Sequence, residues 1–101
     1  MMKQFTIINS DDGIIVDEVE SRQCKYCYSA FIYKDVNGLW HLVDKKSGLS
    51  ICNARTLKHL ESKFIERKQH YEEFMNTDAY KIKVERFDKL ILVYTYSKGV
   101  K

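Results

Sequence analysis

The first half of the chain consists of short β-branched and aromatic runs separated by turn-forming clusters. Over about 54–75 apolar positions recur at the helical period, and two further strand-like runs follow. Phe5-Thr6-Ile7-Ile8 and Ile14-Ile15-Val16 flank Asn9-Ser10-Asp11-Asp12-Gly13, which predicts a hairpin with Gly13 free to take a positive φ. Residues 18–23 are polar and read as a loop. Residues 26–34 are rich in aromatic and branched side chains and lead into Asp35-Val36-Asn37-Gly38, where Asn-Gly predicts a type I′ turn. The returning strand is 39–43, and a second turn at 44–48 precedes a short strand at 49–52, giving a three-stranded meander.

Leu57, Leu60, Phe64, Tyr71 and Met75 lie on one helical stripe, so a helix is expected over about 54–75, capped by Asn53. Asn76-Thr77-Asp78 ends it. Tyr80, Ile82 and Val84 then alternate with Lys81, Lys83 and Glu85, which reads as a half-wet strand. Residues 90–96 are apolar on both faces and read as a covered strand, the two forming a C-terminal hairpin around 86–89. The expected class is α+β: an antiparallel sheet of N-terminal hairpin, three-stranded meander and C-terminal hairpin, packed against one long amphipathic helix.

Length and composition fit one domain over residues 1–101, with 45% hydrophobic residues and no proline to mark a linker. No apolar run approaches the roughly 20 residues of a membrane span, and the N-terminus meets Asp11 and Asp12 before any apolar leader forms. Three cysteines cannot close a disulfide framework among themselves, which fits a reducing compartment, so the expected location is the cytoplasm without membrane association. The net charge of +3 divides unevenly: residues 1–23 carry two basic and five acidic side chains, the remainder fifteen and nine. That basic excess could steer an acidic partner, and it is also what a lysine-rich coding bias produces.

Cys24-Lys25-Tyr26-Cys27, with Cys52 and His41, has the ligand types of a Cys₃His zinc site. In an extended strand Cys24 and Cys27 would point to opposite faces, so chelation would need a turn there, and Lys25-Tyr26 lacks the glycine usual in such turns. The expectation is therefore buried or unremarkable thiols, no metal and no other cofactor. His59 and His70 fall on one predicted helix about three turns apart, roughly 16 Å, and cannot share a substrate atom. His41 follows Trp40 on a strand. The four glycines are scattered singly and form no phosphate-binding loop. No nucleophile, base and orienting group come together, so the sequence does not point to an enzyme.

Two binding readings remain. Lys25, Lys34, Lys45 and Lys46 with Tyr26, Tyr28, Tyr33 and Trp40 mix basic and aromatic side chains in the meander, as sheets that bind single-stranded nucleic acid do. In this reading the lysines hold phosphates and Tyr33 or Trp40 stacks on bases, but no RNP-like or arginine-rich segment accompanies them. The stronger expectation comes from surplus apolar surface. One helix covers one sheet face, yet strands 26–34 and 90–96 are apolar on both, so the N-terminal hairpin, a second copy of the chain or another protein must cover the rest. That makes the chain a non-enzymatic protein-binding module, of the small inhibitor or adaptor kind carried by phages and mobile elements, with Tyr28, Tyr33, Trp40, Tyr94 and Tyr96 as anchors.

Overall fold

The computed structural model describes residues 2–10 and 13–99, with the backbone alone at 9, 10 and 97–99. Five strands, β1 (Met2–Ser10), β2 (Gly13–Gln23), β3 (Ala30–Lys34), β4 (Trp40–Asp44) and β5 (Ser50–Ala54), form an antiparallel sheet in sequential order. Two helices follow, α1 (Leu57–Met75) and α2 (Asp78–Gly99). The α+β class, the N-terminal hairpin, the meander and the central helix are as expected; the C-terminal hairpin is not, because residues 78–99 form the helix α2.

The reason lies in the length of the window. Tyr80, Ile82 and Val84 satisfy a period of two over five residues. Tyr80, Val84, Phe87, Ile91 and Tyr94 satisfy the helical period over fifteen, and each of them is buried or half-buried. The supposed turn, Arg86-Phe87-Asp88-Lys89, contains no Gly, Pro or Asn to reverse the chain. Thr77 starts the new helix: its hydroxyl oxygen accepts from the Tyr80 N–H at 3.2 Å and also donates to the Phe74 carbonyl at 2.6 Å.

Three local expectations are also corrected. Residues 18–23 are strand, not loop, because the hairpin ribbon continues until Met2 faces Ser21. β3 begins at Ala30 rather than at Tyr26, since residues 24–29 are turns whose carbonyls at Cys24 and Cys27, with that of Ala30, accept from the Gln23 side-chain amide. The Asn37-Gly38 hairpin forms, but only Gly38 has positive φ (84°); Gly38 N–H bonds the Asp35 carbonyl and the Asp35 carboxylate accepts from the Asn37 and Leu39 N–H groups, a type I turn closed by glycine rather than type I′. Residues 11 and 12 of the first predicted turn lie outside the described residues.

α1 starts three residues later than expected. Thr56, not Asn53, caps it, accepting from the His59 N–H at 3.1 Å while Asn53 stays in β5. Its stripe of Leu60, Phe64 and Tyr71 closes one sheet face over Cys24, Ala30, Ile32, Leu42, Cys52 and Ala54. Lys63 and Arg67 donate to the Asn53 and Ile51 carbonyls, capping part of the edge that β5 would otherwise leave open.

The other sheet face carries Phe31 and Val43, paired across β3 and β4 and fully buried. Its cover comes from the N-terminal hairpin and α2, which answers the surplus of apolar faces seen in the sequence. Thr6 and Val16 are buried, and the Ile7 N–H reaches the Gly48 carbonyl at 3.0 Å, curling the ribbon onto the 44–48 turn. α2 meets the rest of the molecule at three points seven residues apart. Tyr80 bonds Asp44, Phe87 lies against Gly48, and Tyr94 packs edge-on against Phe5 with 5.3 Å between ring centroids. Gly48 needs its lack of a side chain twice over: its φ is 70°, and Phe87 leaves no room for a Cβ.

Candidate functional site

Asp44, fully buried at the end of β4, accepts four hydrogen bonds through its carboxylate. Its Oδ2 accepts from the Ser47 N–H (3.0 Å), the Ser47 hydroxyl (2.7 Å) and the Tyr80 hydroxyl (2.8 Å), and its Oδ1 accepts from the Tyr71 hydroxyl. Since Tyr71 spends its proton on Asp44, Ser29 donates to Tyr71 (2.9 Å) and the Cys27 thiol to Ser29 (3.3 Å), so a line of donors runs from residue 27 to the carboxylate. Burial first, and then the Asp44 carboxylate, push the phenols of Tyr71 and Tyr80 well above their usual range. Beside this hub a cleft of about 500 Å³, lined by Ser50, Glu66, Arg67, His70 and Phe74 among others, opens between the 44–51 segment and α1, with Tyr80 of α2 at its margin. Its floor is a carboxylate already supplied with four donors and two phenols held protonated, an arrangement that ties β4, α1 and α2 together.

The weak candidate set of Cys24, Cys27, Cys52 and His41 is not assembled as metal ligands. Among the described residues no group of three or more His, Cys, Asp or Glu side chains is placed to hold a metal ion. Cys24 and Cys27 do flank a turn, the geometry chelation would need, but Cys24 and Cys52 are buried in the core under α1, and burial pushes both thiols up, toward the protonated form. His41 faces the other side of β4, its Nε2 2.8 Å from Asp35 Oδ2 and its ring stacked on Tyr33 at 4.8 Å. The hydrogen bond from His41, aided by the Leu39 N–H, holds the Asp35 carboxyl below the usual carboxylate range.

The meander residues are largely engaged within the chain. Trp40 packs against the α1 core and has the Arg22 guanidinium 4.8 Å and the Lys34 ammonium 5.4 Å from its ring centroid. Lys45 donates to the Gln23 side chain, and Tyr33 is half-buried between Phe31 and His41. Lys25 and Lys46 are exposed, and Tyr28 is 86% exposed in the turn before β3. Tyr94 and Tyr96, expected on a strand, both lie on α2, the first turned inward against Phe5 and the second outward.

A row of open apolar side chains lies on this helix, where the sequence predicts strands. On the outward side of α2, Ile82 (63% exposed), Leu92 (69%), Val93 (64%) and Tyr96 (75%) stand uncovered. Leu90-Ile91-Leu92-Val93-Tyr94 is the signal: five consecutive apolar residues wrap a helix on every side, so a helix with only one packed face must expose some of them. Among the described residues no helix is long and apolar enough to cross a membrane. No protein-family profile, curated protein or solved structure matches this chain.

Proposed function

We propose that the chain is a non-enzymatic protein-binding module, an inhibitor or adaptor, and that it engages its partner through the outward side of α2. The observation that carries this reading is the row of Ile82, Leu92, Val93 and Tyr96, each more than half exposed on one helix. Isolated apolar residues on a surface are ordinary, but a row of four on a single element is what binding surfaces display. Helix-in-groove recognition uses anchors of this type at helical spacing. Tyr96 adds an amphipathic ring of the sort enriched at interfaces. The reading moves the binding surface from the sheet, where Tyr33 and Trp40 are spoken for, to the helix.

The test is capture from a lysate of the native host, with and without nuclease, using the wild-type protein and a Leu92→Glu, Tyr96→Glu variant. A stoichiometric protein should remain bound to wild type after nuclease and be lost from the variant, whose circular dichroism stays native. Capture that vanishes with nuclease instead would transfer the function to nucleic acid and the lysines of the meander.

A further inference from the structure

α2 carries two seams. The inner one, Tyr80, Val84, Phe87, Ile91 and Tyr94, packs on the molecule itself. The outer one, Ile82, Glu85, Lys89, Leu92 and Tyr96, repeats with spacings of three and four residues, the pattern by which one helix pairs with another. Its ends are apolar and its middle holds one acid and one base. Glu85 and Lys89 are both exposed, and neither makes an ion pair or a side-chain hydrogen bond with a described residue, although they stand one turn apart.

That charge arrangement is self-complementary in one way only. Two copies of α2 laid antiparallel about a two-fold axis that crosses the outer seam midway between Glu85 and Lys89 put Ile82 opposite Leu92 and Glu85 opposite Lys89, each pairing occurring twice. A parallel pair would set Glu85 on Glu85 and Lys89 on Lys89. An antiparallel pair centred on Lys89 would oppose the two ammonium groups. Like charges in register disfavour both alternatives. Resting on the reading of α2 as a protein-binding surface, we infer that its partner is a second copy of this chain, joined as an antiparallel α2–α2 homodimer with reciprocal Glu85–Lys89 ion pairs across the axis. One helix pair is a small interface, so the dimer should be a reversible one of micromolar strength rather than an obligate one.

Sedimentation equilibrium over the micromolar to millimolar range tests this with Glu85→Lys, Lys89→Glu and the double variant, folding being checked by circular dichroism. Wild type should be a monomer–dimer equilibrium. Each single variant should dimerise at least tenfold more weakly, since it places like charges across the axis, while the double variant should recover the wild-type constant. An equimolar mixture of the two single variants should form a heterodimer, because one copy then presents two lysines and the other two glutamates. A folded wild type that stays monomeric throughout overturns the inference. So do native single variants that dimerise undiminished, or a native double variant that fails to recover. Loss of the homodimer with α2-dependent capture of a host protein intact would remove the self-pairing and leave the binding module standing.

Discussion

A buried carboxylate is costly unless donors replace its water, and Asp44 shows the replacement side chain by side chain. Among the described residues no Lys, Arg or His stands within ion-pair distance of it; the N–H and hydroxyl of Ser47 in its own turn, Tyr71 from α1 and Tyr80 from α2 take that role. Tyr80→Phe removes one of the three bonds to Oδ2 and leaves the carboxylate in place, so urea denaturation should show a loss of about 1–3 kcal/mol. Tyr96→Phe, at an exposed site, should leave the urea midpoint within error, and equal losses at the two positions would contradict the hub. None of this was legible beforehand. Asp44 reads as an ordinary turn residue, and the two tyrosines that reach it are 27 and 36 positions away. The cysteine set shows the opposite limit: the sequence displays ligand types, but the orientation and burial that decide chelation belong to the packed core.

Among the elements, those whose signal is local are read correctly. The first hairpin, the Asn37-Gly38 reversal, β4, β5 and α1 each carry their turn or period within their own residues. Errors fall where two patterns coexist. Tyr80, Ile82 and Val84 suit a strand face and a helix alike, and only the longer repeat to Tyr94 separates them. The start of α1 is a similar contest between two capping residues three apart, and sheet pairing decides it, because Asn53 is held opposite His41 in β5. Thr56 then makes the capping bond, so Thr56→Ala should cost about 1 kcal/mol. Asn53→Ala, which removes an exposed side chain with no capping role, should cost much less. Thermal melts of the two variants side by side give the answer, and a larger loss at Asn53 would restore the capping role expected from the sequence.

In the whole molecule, the buried Tyr71 and Tyr80 and the half-buried Tyr26 tie the strand–turn region, α1 and α2 to one stability curve. Burial pushes the phenols of Tyr26, Tyr71 and Tyr80 above their ordinary value, and Asp44 reinforces the shift at the last two. Each folded-state pKa therefore exceeds the unfolded one, which is about 10. The folded state binds these protons more tightly, so their contribution is fully present below about pH 10 and is lost as pH rises through the raised folded values. At the acid end Asp35 acts in the other sense: its folded pKa is lowered, and its contribution is lost as pH falls below the usual carboxylate range. Asp35 sits in a partly exposed turn, whereas the tyrosines lie among α1, α2 and the sheet, so the alkaline limb should be the steeper and the more cooperative. Thermal midpoints taken across pH should form a plateau at neutral pH with a sharp fall beginning near pH 10, and Tyr80→Phe should start lower on the plateau but fall less steeply. A midpoint indifferent to pH up to about 11 would mean that the phenols ionise without unfolding, and that the contacts around Asp44 do not join the two helices to the sheet.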